Sequence, residues 1–188
     1  MAIASRAECL ELLQQFDMPE HIRRHSLLVT EVALFLAHRL NGNGSRLDPG
    51  LIEASALLHD IGKFSSLGTG EDHAKLGAQM LDGIVDPAIA GIVGQHISLD
   101  ASQVAGPITD SLLVNYSDKR VRHDQVVSIE ERYQDLIARY AKSPSHEQFL
   151  RKKLALYVEL ERTIFSHLTI APHGKEIMGI TIDVLKGA

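Results

Sequence analysis

An all-α fold is predicted by three observations. Apolar residues recur at three- and four-residue intervals nearly throughout, no long stretch alternates apolar with polar, and caps and glycine stops punctuate the 188-residue chain. That length suits one domain with a full hydrophobic core, read here as a single domain over 1–188. Its helical core covers about 20–142, and a helical appendage covers about 145–188. The first helix spans 6–16 and the second 19–40, where Asn41-Gly42-Asn43-Gly44 stops it. The third opens at Asp48-Pro49, an acidic cap with proline at the first helical position, and is expected to end at Gly62. The segment from Phe64 to Gly70 is rich in turn formers and has the character of a lid or an entrance. Helices follow over 73–82, 87–96 and 108–120, and the capping box Ser128-Ile129-Glu130-Glu131 opens another that ends near Lys142. The last clear helix starts near Ser145, but Leu154, Tyr157, Glu161 and Phe165 form no pure apolar stripe, and 164–188 has no strong period. Arg151-Lys152-Lys153 is the solvated face of a helix.

A net charge of −5 and a pI near 6.0 leave no basic stripe for duplex nucleic acid, so a small molecule met in a local pocket is the better partner. One cysteine, Cys9, excludes an intramolecular disulfide framework and reads as a packed thiol in a reducing compartment. The N-terminus has no long apolar stretch, and no later segment reaches membrane-spanning length, so no membrane is expected and the expected location is cytoplasmic. Helical surfaces of this size often dimerise, so a homodimer is compatible with the sequence.

The strongest chemical signal is His59-Asp60 inside the apolar run Ala56-Leu57-Leu58-His59-Asp60-Ile61-Gly62-Lys63. A buried imidazole and carboxylate need a compensating partner, and a metal ion serves both. His25 stands in line with Val29, Val32 and Leu36, on the core-facing stripe of the second helix. His73 leads Leu76, Gly77, Met80 and Leu81, and His96 follows Ile89, Ile92 and Val93 in the same manner. Asp118 shares its face with Val114 and Val121 but also with Asn115. A single histidine on an apolar face is usually a satisfied core residue, and it is the joint placement of these residues that argues for a metal site. His21, His38, His123, His146, His167 and His173 show no such convergence and are assigned to structure or surface, with His123 near enough to Asp118 to check. Glu71 and Asp72, just before His73, either orient an imidazole or cap a helix.

Together, His25, His59-Asp60 and Asp118 resemble the H…HD…D signature of the HD superfamily of metal-dependent phosphohydrolases, and His59-Asp60-Ile61-Gly62 spells its HDIG variant. The resemblance covers roughly 22–140 and implies an all-α, single HD-domain helical bundle. It further implies that Asp60 bridges two metals, that His25, His59 and Asp118 complete one site, and that His73 and His96 hold the second. One ion, with His73 and His96 turned to phosphate, is the alternative. The chain has Ile97 after His96 and no Gly-Tyr-Pro, which departs from the cyclic-dinucleotide phosphodiesterase branch. It is also shorter than the usual nucleotide triphosphohydrolases of the family.

Imidazole and carboxylate donors suit one or two divalent transition-metal ions, iron, manganese, nickel, cobalt or zinc. Two ions about 3.5 to 4 Å apart would activate a hydroxide and clamp the reacting oxygens. The implied function is hydrolysis of a phosphate mono- or diester of a nucleotide or related small molecule, with Asp60 and Lys63 as catalytic residues. Lys63 is the first choice for a phosphate contact because family members with His-Asp-x-Gly-Lys present that lysine to substrate. As a plain helix C-terminal cation it has nearly equal claim. Lys119, Arg122 and Arg24 adjoin ligands and are further candidates for substrate contact, although each is expected to face solvent. Two other functions fit the resemblance: a di-iron oxygenase or lyase, and a catalytically silent signalling or scaffold domain.

Overall fold

A computed structural model describes residues 2–182 of the chain. Its axis is α2 (Glu20–Gly42), whose stripe of Leu28, Val29, Val32, Ala33, Leu36, Ala37 and Leu40 is fully buried. Before it, α1 (Arg6–Gln15) starts at a Ser5 capping box closed by Glu8. Arg6 ties α1 to its neighbours by reaching Glu31 and Glu53, each at 2.8 Å. Asp48 caps α3 (Pro49–Leu58) by accepting from the amides of Gly50 and Leu51, with Pro49 at the first helical position.

The third helix ends at Leu58 rather than at Gly62, so the His-Asp pair sits on the turns that follow it. The chain tightens there through three-residue hydrogen bonds, from the Ile61 amide to the Leu58 carbonyl and from the Lys63 amide to the Asp60 carbonyl. The cause is close packing at Gly62, where a Cβ would lie 2.3 Å from the His73 carbonyl oxygen and 2.5 Å from the Gly77 nitrogen. Only a residue without a side chain lets α4 (His73–Leu81) approach this turn, which brings His73 toward Asp60.

Asp72 caps α4, and Asp86 with Pro87 opens α5 (Pro87–Gln95), leaving His96 as its C-cap. A short α6 (Ala101–Val104) precedes α7 (Asp110–Lys119), which carries Asp118 in its last turn. A two-stranded hairpin, β1 (Val121–Arg122) with β2 (Gln125–Val126), turns at His123 in a left-handed conformation, φ 58°. Then come α8 (Ile129–Tyr140), α9 (Pro144–Ser166) and α10 (Lys175–Met178). Helicity follows the predicted segments closely. The hairpin, α6 and α10 are additions that four or fewer residues each could not announce through periodicity.

Tyr157, Leu160, Ile164, Phe165 and Ile177 join the same core cluster as α2 and α7. Glu161 interrupts the apolar stripe of α9 for a specific reason. It accepts from the Tyr116 hydroxyl at 2.5 Å and from the fully buried Arg120 guanidinium at 3.1 Å. Arg120 also donates to the carbonyls of Val127 and Pro172 at 2.7 and 2.8 Å. Cys9 is buried, and burial pushes its thiol up to about 12. No helix among the described residues is long and apolar enough to cross a membrane.

Candidate metal centre

Five segments converge on one buried cluster: His25 from α2, His59 and Asp60 from the turn after α3, His73 at the start of α4, His96 at the end of α5, and Asp118 from α7. The imidazoles form an arc, with ring centroids 5.4 Å apart for His25 and His59, 5.0 Å for His59 and His96, and 5.1 Å for His73 and His96. Asp60 occupies the middle and its two oxygens face opposite ways. Oδ2 lies 3.5 Å from His59 Nε2 and 3.9 Å from His25 Nε2, whereas Oδ1 lies 3.5 Å from His73 Nε2 and 3.7 Å from His96 Nε2. Asp118 Oδ1 completes the first group, 3.0 Å from His25 Nε2 and 3.7 Å from His59 Nε2. Donor atoms within each of the groups His25/His59/Asp60, His59/His96/Asp118 and Asp60/His73/His96 are close enough to share an ion.

Backbone carbonyls set the ring orientations. Nδ1 of His59 donates to the Ala56 carbonyl and Nδ1 of His96 to the Val93 carbonyl, both at 2.7 Å. A carbonyl only accepts, so the proton is on Nδ1 and each Nε2 presents a lone pair to the cluster. Those two Nε2 atoms are buried and have no hydrogen-bond partner. Buried polar atoms are rarely left so, and lone pairs facing carboxylate oxygens repel unless a cation lies between them. His25 is oriented by its Nδ1, 3.2 Å from the carbonyl of His123. His123 therefore matters through its backbone. The donor set of imidazole nitrogens and carboxylate oxygens fits divalent transition metals.

The electrostatics agree with that chemistry. Burial alone would raise the Asp60 carboxyl, but the Lys63 ammonium against its Oδ2 helps to hold it well below the usual carboxylate range. Burial likewise opposes ionisation of Asp118, and the Lys119 ammonium beside it overcomes that, holding the carboxyl well below the usual range. Burial pushes the His73 imidazole down to about 4, which keeps it neutral and able to ligate at pH 7.

The four cations named from sequence divide sharply. Lys63 donates to Asp60 Oδ2 at 2.6 Å and is partly exposed, at the edge of the cluster. Lys119 is not solvent-facing as expected. It is buried and donates to Asp118 Oδ2, because the aromatic face of Tyr157 covers that end of α7. Arg24 turns outward to Asp124 at 3.0 Å, and Arg122 lies half-buried in β1. Of the two acids before His73, Asp72 caps α4 by accepting from the Ala74 and Lys75 amides.

A cavity of about 310 Å³ opens on His25, Asp60 and Lys63. Its other walls are His21, Ile22, Leu67, His123, Arg132, Arg139 and Tyr140, so the segment before α4 forms part of the entrance. Neither Lys119, Arg122 nor Arg24 is among the lining residues. Sequence patterning did not mark Arg132 and Arg139 or His21 as part of a site. The available signal was the spacing of two arginines, seven residues apart, on one face of a helix that begins only eleven residues after Asp118.

A model of the HD domain matches residues 22–129. The chain is 30% identical over 160 residues to a tRNA (cytidine(56)-2'-O)-methyltransferase of Picrophilus torridus, a match covering 80% of this chain and 45% of the relative. A protein of the same name from Thermoplasma volcanium is 36% identical over 91 residues, 47% of this chain and 25% of its own length. An uncharacterized protein of Methanocaldococcus jannaschii is 31% identical over 110 residues, 55% of this chain and 64% of that protein. The chain thus spans less than two thirds of each of these relatives. No solved structure gives a significant match. The helical bundle, the buried His/Asp cluster and the match over more than half of its length together show that this chain belongs to the HD domain family.

Proposed function

We propose that the protein is a metal-dependent phosphohydrolase that cleaves a phosphate mono- or diester of a nucleotide or related small molecule. The observation that carries this reading is the pair of buried, unpartnered Nε2 atoms of His59 and His96, which flank a carboxylate whose oxygens face two different groups of imidazoles. His25, His59, Asp60 and Asp118 would hold one ion, and Asp60, His73 and His96 a second. Bound divalent ions supply Lewis acidity, polarising the phosphoryl group and making water acidic enough to attack it near neutral pH. Lys119, by holding Asp118 Oδ2, turns Oδ1 toward His25 and His59. Lys63, which donates to Asp60 Oδ2 and lines the cavity, would be placed to pair with a phosphoryl oxygen of a bound substrate.

Cations in the cavity wall favour this reading over an oxygenase acting on an uncharged substrate, and the full set of donors favours it over a silent scaffold. The tRNA methyltransferase name belongs to relatives that lie more than half outside the match, and it is not carried over to this chain.

Metal analysis of protein purified without chelator is the test. We expect about two ions per chain, about one in His73→Ala and none in Asp60→Ala, with phosphate released from nucleoside monophosphates only by metal-loaded protein. Absence of metal after reconstitution overturns the proposal, and so does a metal-loaded chain that cleaves no member of a broad panel of phosphate mono- and diesters.

A further inference from the structure

Part of the cavity wall belongs to α8, and nothing in the metal chemistry uses it. Arg132 and Arg139, two turns apart on that helix, both line the cavity, with Tyr140 beside them. One carboxylate serves both guanidiniums: Asp135 accepts from Arg139 Nε at 3.0 Å and also from Arg139 Nη2, and Arg132 Nη1 reaches it at 3.4 Å. One negative charge against two positive ones leaves a cation uncompensated at the wall. Arg132 shows the deficit directly, because its side chain is only 13% exposed and its Nε is buried without a hydrogen-bond partner. A guanidinium is pre-shaped to pair with carboxylate or phosphate through two parallel donors, and burial of an unused donor is costly.

The reacting phosphoryl group does not account for these arginines. It is already provided for by Asp60, on the turn after α3, and Lys63 beside it, neither of which belongs to α8. At about 310 Å³ the cavity is at the small end of organic-ligand sites, large enough for one nucleotide-sized molecule to meet both sets of residues. Ile22, Leu67 and Tyr140 supply apolar lining for an uncharged middle portion.

We infer that Arg132 and Arg139 form a second anion subsite, so that the ligand of this cavity is an organic phosphate bearing a second anionic group held away from the phosphoryl group at Asp60. The inference rests on the phosphohydrolase reading for the identity of the group at Asp60. It adds the substrate class: a doubly anionic molecule such as a nucleotide phosphorylated at two separate hydroxyls.

Calorimetric titration of manganese-loaded protein with adenosine 3',5'-bisphosphate, and separately with the two adenosine monophosphates, tests it, with phosphate release measured in parallel. The bisphosphate is expected to bind at least about ten-fold more tightly than either monophosphate, as one added charge-assisted pair implies. In Arg132→Gln and Arg139→Gln that preference should shrink to about two-fold, with Arg→Lys at either position intermediate because it keeps the charge and loses the fork. Thermal melts establish that each variant is folded. A preference that survives both glutamine substitutions overturns the inference. Equal losses for mono- and bisphosphate overturn it as well, since the arginines would then serve the common phosphoryl group, and so does absence of binding by any of the three. An arginine-dependent preference without phosphate release leaves the subsite standing and removes these adenosine phosphates as substrates of the hydrolase.

Discussion

His73 shows at single-residue scale what the metal centre costs the protein when no ion is bound. Its imidazole ionises at about 4 because burial disfavours the charge, against 6.5 for an ordinary histidine. A depressed histidine means that the unfolded chain binds more protons between those two values, so stability falls as pH drops from 6.5 toward 4. The loss expected for metal-free protein is on the order of 3 kcal/mol, measured by urea denaturation across that range, and His73→Leu should flatten the slope. Gly62 yields a second expectation. In Gly62→Ala the methyl group meets backbone atoms of His73 and Gly77 that no rotamer change can move. Destabilisation of about 3 kcal/mol should follow, together with loss of the ion that His73 is proposed to hold, read from metal content per chain. Such residues differ in how far the sequence exposes them. His25, His59, Asp60, His73 and His96 are legible because each interrupts an apolar stripe. Arg132 is not, because an arginine on an amphipathic helix looks the same whether it lines a cavity or faces water.

Among the elements, the hairpin between α7 and α8 carries more connections than its four paired residues suggest. His123 gives its carbonyl to His25, and the chain leaving β2 gives the Val127 carbonyl to Arg120. Arg120 in turn fastens the segment before α10 through the Pro172 carbonyl and α9 through Glu161. Replacing it as Arg120→Met leaves Glu161 buried without its cation, and a loss of about 3–5 kcal/mol in chemical denaturation is expected, part of which Arg120→Met/Glu161→Leu should restore. Helix boundaries set by side-chain caps, at Asp48 and Ser128, were readable from local sequence. The end of α3 was not, since it depends on the approach of α4 at Gly62, a contact between segments that a local pattern does not contain. Glu161 is the same lesson in α9, where a charge that spoils the apolar period is explained only by Tyr116 and Arg120 from another helix.

For the molecule as a whole, a metal held by the His/Asp cluster would be a ligand of the folded chain alone. Free metal at about 100 times its dissociation constant adds about 2.7 kcal/mol, so chelation should lower the melting temperature by roughly 5–10 °C in a chain of this size. A scan with and without chelator checks this, and Asp60→Ala should melt at one temperature in both. An acidic protein with arginines and a lysine lining its cavity also draws anions inward while its surface repels them, so binding of phosphorylated ligands should weaken as salt rises. The arc of imidazoles has one more consequence, which concerns time rather than energy. His25 and Asp118 meet across 93 residues of chain, and the other donors are spaced between them. No growing chain that stops short of α7 contains the whole set, and the cluster closes only when the longest loop does. Metal capture is then expected only after that loop has closed. Ions should leave the refolding rate unchanged and act almost wholly by slowing the rate at which the finished molecule comes apart.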